Sequence, residues 1–243
     1  FLNTAQETKD RPSQIPSCLA DHSRAIWYVL DQEPADLAAI RAQRGPDNKS
    51  WIRSITPRLL QKMFFDPEMR TANGLFISPY KAQAQVVGKL FAAWELAGWE
   101  ASTVHSQQGS EADIVIFDTV NAGSYNWPYD EWKRLVNVAL SRAREAVIVL
   151  ASRSEMDEPY LKPLKRRLTP SVLKPHDDSF RWEKVSQTNL SFHAAAKPTQ
   201  VAEAHPNYET SPGAKRSMGH QVANRKRMKP VLSEEQQRLT NLN

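Results

Sequence analysis

Glu131–Leu150 reads E-W-K-R-L-V-N-V-A-L-S-R-A-R-E-A-V-I-V-L. Its first part reads as a helix, Glu131–Arg144, and its last five residues, Ala146–Leu150, form an unbroken apolar run of the kind buried on both faces of a sheet. A helix feeding directly into such a strand is one step of an alternating α/β chain.

The same alternation extends upstream. Ala25–Leu30 (AIWYVL), Leu75–Ser78 (LFIS) and Ile114–Phe117 (IVIF) read as three more buried strands. Trp51–Phe65 places Ile52, Ile55, Leu59, Leu60, Met63 and Phe64 at helical spacing, with Pro57 tolerated near the first turn. Lys81–Ala97 carries Val86, Val87, Leu90, Phe91 and Trp94 on one face. The expected fold is therefore α/β: a parallel sheet flanked by helices, with functional groups gathered at the carboxyl ends of strands. No internal repeat is visible.

Composition divides the chain. It has 243 residues, one cysteine (Cys18) and a formal net charge of +5. Residues 1–155 hold 17 basic and 18 acidic side chains, whereas residues 156–243 hold 15 and 9. The surplus positive charge thus belongs to the C-terminal third, where Pro, Ser, Gln and Asn are frequent and no apolar period is sustained. That third is expected to be a mostly disordered basic tail, from about Leu168 onward, because it has too little apolar surface to offset the entropy of ordering. Residues 1–19 are expected as a flexible leader and 20–155 as the folded domain. A lone cysteine excludes a disulfide framework and a cysteine zinc cluster, and fits a reducing compartment. No apolar run approaches the ~20 residues of a membrane span. The chain opens at Phe1 without the features of a signal peptide, and is read as a processed or partial sequence.

The search for a phosphate-binding loop fails. Gly88-Lys89 is followed by Leu90, and Gln83 stands where the first glycine of G-x-x-x-x-G-K-[ST] belongs. Asp118, which ends Ile114–Asp118 (IVIFD), superficially resembles a magnesium ligand but reads better as a cap or turn residue, so no metal site is expected. His105 has no serine or cysteine with a third orienting group around it, which argues against a nucleophilic triad. His22, His176, His193, His205 and His220 read as scattered histidines of loops and tail.

Three segments carry more. They are Phe76–Gln83 (FISPYKAQ), Ser102–Ile116 (STVHSQQGSEADIVI) and Leu135–Leu150 (LVNVALSRAREAVIVL). Their order and spacing resemble motifs IV, V and VI of superfamily 1 helicases, in the branch of the nonsense-mediated-decay and replication helicases. Asn137-Val138-Ala139-Leu140-Ser141-Arg142-Ala143-Arg144 follows the pattern N-V-A-L-[ST]-R-A-R throughout. The second segment keeps Thr103, Val104, His105, Gln108, Gly109, Glu111 and Asp113 but has Gln107 where an aromatic is usual. The first has Ser78 for Thr and Lys81 where Arg is frequent.

The resemblance implies that residues 20–155 are a second RecA-like domain, with ATP and magnesium bound only together with a first, N-terminal RecA-like domain expected upstream of Phe1. Arg142 would be the arginine finger, its alternative being an exposed arginine near a helix end. Tyr80 would stack on adenine, or else be a half-buried core tyrosine. Lys81 would place charge near the phosphates, and Gln83 would fix local backbone. Gly109 would let backbone approach a phosphate, or serve as a turn glycine. Glu111 would accept from a ribose hydroxyl or pair with a motif arginine. Arg144 stands between a phosphate contact and an ion pair. Thr103 and His105 would face a single strand of DNA or RNA.

The expected function is that of the C-terminal half of an ATP-dependent helicase, inactive alone. The rival is a non-catalytic module binding nucleic acid or a protein partner, a truncated copy of the domain. The expected location is intracellular, nucleus or cytoplasm; basic clusters at Lys165–Arg167, Lys215-Arg216 and Arg225–Lys229 suit phosphate backbones or an import receptor and lean toward the nucleus.

Overall fold

The computed structural model describes residues 15–33, 40–106, 111–120 and 128–186. It opens with helix α1 (Ser17–Ala20) and strand β1 (Ala25–Val29), then a small hairpin of β2 (Ala42–Arg44) and β3 (Trp51–Arg53). Helices α2 (Thr56–Met63) and α3 (Pro67–Thr71), strand β4 (Gly74–Ser78), helix α4 (Lys81–Ala93) and strands β5 (Trp99–Thr103) and β6 (Ala112–Asp118) follow. Helix α5 (Tyr129–Leu140), strand β7 (Ala143–Ala151), helix α6 (Arg153–Met156) and strands β8 (Thr169–His176) and β9 (Ser179–Lys184) complete the order.

Seven strands form one sheet in the order β5-β4-β6-β7-β1-β8-β9, parallel except for the antiparallel β8–β9 pair. The central strands are the apolar runs of the sequence. Every residue of β4 and β6 is buried, as a parallel strand covered on both faces requires. Helix α4 leads from β4 outward to β5, while α5 leads from β6 the other way to β7. Right-handed crossovers in opposite directions put these helices on opposite faces. Val104 and His105, just past β5, lie on the face of α5, where they line one groove with it.

Local chemistry explains the element ends. Pro57 occupies the first turn of α2, where its missing N–H is harmless. Asp66 caps α3 by accepting from the amides of Glu68 and Met69. Gly74 opens β4 beneath the ring of Trp99, which a Cβ there would meet at 2.4 Å. Phe64, Phe91 and Trp99 form an aromatic wedge, with Phe64 4.8 Å from Trp99 and 5.4 Å from Phe91 in edge-on contact.

The structure corrects four expectations. Trp51–Phe65 is not one helix, because Trp51–Arg53 pairs with β2 and α2 opens only at Thr56. The helix expected over Glu131–Arg144 ends at Leu140, and Ala143 and Arg144 already belong to β7. The folded unit starts before residue 20: Leu19 is fully buried, and the amide and hydroxyl of Ser17 both donate to Glu68, each at 2.6 Å. The boundary at 155 and the tail from Leu168 are also displaced, since β8 pairs with β1 and β9 with β8, through Lys184. This hairpin has few apolar residues, but they are placed to count. Trp182 stacks on His22 at 6.0 Å and meets Tyr28 edge-on at 5.8 Å, so isolated apolar side chains suffice where an existing sheet supplies the other half of the contact. Residues 187–243, with the remaining basic clusters, lie outside the described residues.

Candidate functional site

The carboxyl ends of β4 and β6 flank the point where the strand order reverses, the crevice in which open α/β sheets ordinarily take a ligand. Here protein fills it. Arg53, at the end of β3, is 2% exposed and places its Nε 3.1 Å from Asp118 Oδ1, while its Nη2 pairs with Glu155. Its Nη1 donates to the Ile40 carbonyl at 3.0 Å and Nη2 also to the Thr119 hydroxyl at 3.3 Å. Asp118 Oδ1 accepts the Val120 amide at 3.0 Å, and Oδ2 accepts the Thr56 hydroxyl at 2.6 Å and the Gln83 amide at 2.9 Å. Gln83 in turn accepts the Arg53 amide at 3.0 Å, fixing local backbone.

This network sets the charge states. Burial disfavours the Arg53 cation, but the charges of Glu155 and Asp118 outweigh it and hold the guanidinium protonated. Burial pushes the Asp118 carboxyl up, opposed by Arg53, the Thr56 hydroxyl and the Val120 amide. Asp118 thus accepts three hydrogen bonds and faces the Arg53 cation. Among the described residues, no group of three His, Cys, Asp or Glu could hold a metal. Sequence reasoning passed over Arg53 and Glu155 entirely; the signal was an arginine set between Ile52 and Ile55 in an apolar stretch.

The motif residues divide between the two ends of the sheet. Tyr80 is 6% exposed at the start of α4, so its ring lies in the core, while Lys81 is exposed beside it. Thr103 ends β5 and its hydroxyl shares a 2.7 Å hydrogen bond with Ser106. His105 is exposed just beyond. Gly109, with Gln107 and Gln108, lies outside the described residues. Glu111 and Arg144 face each other at the amino end of β6 and β7, with Arg144 Nε 3.2 Å from Glu111 and its Nη1 3.8 Å from Asp113. The ladder slips by one residue between Ala112 and Ile114, a bulge that re-aims this part of β7. Of the two roles considered for Arg144, the ion pair is the one seen.

Arg142 lies in the turn between α5 and β7, and its carbonyl accepts the Ala112 amide at 3.0 Å. Its side chain enters a groove of about 520 Å³ lined by Val104, His105, Glu131, Arg134, Leu135, Val138 and Arg142. The shared face of α5 and the β5–β6 connection brings His105 and Arg142 into this one groove. The Arg142 Nε is buried and has no hydrogen-bond partner among the described residues. Tyr80 and Lys81 are not among the residues that line it.

Residues 46–154 match the model of the AAA domain family. The DNA replication ATP-dependent helicase/nuclease DNA2 of Bos taurus is 26% identical over 143 residues, which cover 54% of this chain and 13% of the bovine protein. The Mus musculus DNA2 is 31% identical over 83 residues, 33% of this chain and 8% of that protein. Replicase polyprotein 1ab of Bat coronavirus 512/2005 is 33% identical over 109 residues, 42% of this chain and 1% of the polyprotein. The chain spans a small part of each relative. No described helix is long and apolar enough to cross a membrane. The likeness to the AAA domain family thus covers residues 46–154, less than half of the chain.

Proposed function

We propose that this chain acts as the second RecA-like domain of an ATP-dependent helicase or translocase, with residues 15–186 as the working unit. Arg142 is presented to the phosphates of an ATP held, with magnesium, by a phosphate-loop domain. Thr103 and His105 contribute to the surface for single-stranded DNA or RNA, and the Gly109–Glu111 turn links the two. The observation that carries this reading is the state of Arg142. It lies in a segment, Asn137–Arg144, that matches the helicase pattern at every position, lines an open groove, and keeps a buried Nε–H without an acceptor among the described residues. A buried donor left unmatched costs ~1–3 kcal/mol, which an incoming phosphate oxygen would recover. Lys81 adds charge outside the groove, and Tyr80 would reach adenine only through an exposed ring edge. Basic clusters of residues 215–229 support a nuclear location.

The test is steady-state ATP hydrolysis by the full-length gene product, wild type against Arg142→Ala. A loss of about 10³-fold or more is expected, with unchanged single-strand affinity. Undiminished hydrolysis by the variant would overturn the reading. The 243-residue chain alone is expected to hydrolyse no ATP, because it contains no G-x-x-x-x-G-K-[ST]. The second reading, a non-catalytic nucleic-acid-binding module, is favoured by the charge of residues 156–243. It predicts salt-sensitive binding to oligo(dT) or oligo(rU) that is lost on removing residues 187–243 and indifferent to Arg142→Ala.

A further inference from the structure

We infer that the outer edge of β5 is a docking site for an extended peptide that adds to the sheet as a further strand and carries a branched apolar residue with a lysine or arginine two positions away. The inference stands apart from the reading of Arg142 and uses none of its residues.

β5 ends the sheet order, so one side of it has no neighbouring strand among the described residues. Two hydrogen bonds fix which backbone groups look outward: the Gly74 amide donates to the Gly98 carbonyl at 2.9 Å, and the Val104 amide to the Ser78 carbonyl at 3.2 Å. In a parallel ladder successive residues alternate in the side to which their N–H and C=O point, so Gly98, Glu100, Ser102 and Val104 face β4. Trp99, Ala101 and Thr103 therefore point away from the sheet. Thr103 is closed off, because its carbonyl accepts the Ser106 amide at 3.2 Å and its amide donates to the Ser106 hydroxyl at 3.3 Å. The Trp99 amide is taken by the Leu96 carbonyl at 3.1 Å. What remains is the Trp99 carbonyl with both backbone groups of Ala101, a set that one added strand satisfies. The opposite edge differs, since β9 carries Arg181, Glu183 and Lys184. β5 carries one charge, Glu100, with no proline and no register shift against β4, and so has little that keeps an edge from pairing.

Side chains select the partner. Trp99 and Ala101 project to the face of α4, where the Trp99 ring meets Phe91 at 5.8 Å. An open groove of about 550 Å³ runs between that helix and the strand edge. Gly88, Ala92 and Ala101 line one part of it, and a Cβ built on Gly88 would meet only the Ala101 Cβ, at 3.8 Å, which leaves room for a side chain from outside. Because α4 runs against β5, Glu95 lies toward Trp99. Glu95 and Glu100 are the charged side chains that line the groove, and no hydrogen bond or ion pair engages the Glu95 carboxylate among the described residues. Alternate side chains of an added strand fall on this face ~7 Å apart. That sets a valine-sized group over Gly88 and Ala101 and a cation two residues on, toward Glu95. The same acidic lining disfavours edge-to-edge pairing with a second copy of this chain, which would bring the glutamates together.

The probe is the acetylated, amidated peptide Lys-Thr-Val-Thr-Lys, whose symmetry serves either strand direction. It is titrated to millimolar concentration into the 243-residue chain while the backbone amide resonances are followed. The Ala101 amide is expected to move downfield as it gains an acceptor, and binding to weaken as salt is raised. Glu95→Gln should weaken binding about threefold, and Gly88→Leu, which fills the groove, about tenfold or more. Ala101→Pro removes the outward N–H at a position where an edge strand tolerates proline, and should abolish binding. If that variant does not fold, Gly88→Leu decides, since its site has the space. The inference falls if the Ala101 amide does not move, if Gly88→Leu binds as wild type, or if Glu-Thr-Val-Thr-Glu binds equally well. Concentration-dependent dimers in sedimentation, lost in Gly88→Leu and with no peptide binding, would give the edge to a second copy and also overturn it.

Discussion

Arg53 and Arg142 are both partly or wholly inside the protein, and they represent opposite uses of the same side chain. Arg53 sits at the carboxyl ends of β3, β6 and β7, 2% exposed, with its charge matched by Asp118 and Glu155. Arg142 sits at the other end of the sheet, in an open groove, with a buried Nε that no described residue satisfies. Removing a neutralised buried cation strands its partners. One without a counter-charge at a groove wall has no such partners to strand, and under the proposed function it is the group that meets a ligand. The difference also explains why the strand-order switch point is not a ligand site here: the protein has supplied its own cation and its own acceptors.

The sharpest way to break this comparison is to delete each arginine and measure both stability and activity. Arg142→Ala should remove about 10³-fold or more of ATP hydrolysis in the full-length protein without lowering stability in denaturant unfolding, because it deletes a buried donor that no described residue satisfies. Arg53→Ala should do the reverse in kind, costing ~3–5 kcal/mol of stability because Asp118 and Glu155 remain buried without their cation. Equal destabilisation by the two variants would remove the distinction.

A smaller effect is expected at the exposed pair of the amino edge. Glu111→Gln should cost ~0–1 kcal/mol, and less at high salt, because the pair with Arg144 is solvated. If the variant instead changes ATP hydrolysis strongly, the pair is part of the site and Arg144 belongs with Arg142. The smallest effect concerns the hairpin. Burial, and secondarily the charge of Lys184, lower the pKa of His22 below the usual 6.5. Its neutral form is therefore favoured in the fold. The contribution is fully present above about pH 6.5 and is lost as pH falls toward the lowered folded value. Amide exchange in β8 and β9 should quicken on acidification, and His22→Gln, which keeps a polar group near Ser171 Oγ, should flatten that dependence.

The buried strands were legible because a parallel strand covered on both faces must be apolar throughout, and β4 and β6 are. β5 was not, since this edge strand, reading Trp-Glu-Ala-Ser-Thr, fully buries only Trp99 and Ser102. The hairpin β8–β9 escaped for a related reason: Leu173 and Trp182 are opposite one another in the register, a pairing invisible until the strands are aligned. In the candidate site, Arg142 was found through its motif. The Arg53–Glu155 pair was not legible, because Glu155, 102 residues from Arg53, meets it only when β3 and α6 come together.

What the residues determined by themselves was the alternation of helix and strand, the absence of a phosphate-binding loop, and the segment Asn137–Arg144. These are local properties, written in spacing and residue type. Tertiary structure decided which arginine is neutralised by buried carboxylates and which lines an open groove, and which strands close the sheet. Charge compensation and edge pairing depend on partners far away in the chain, and no local pattern specifies those.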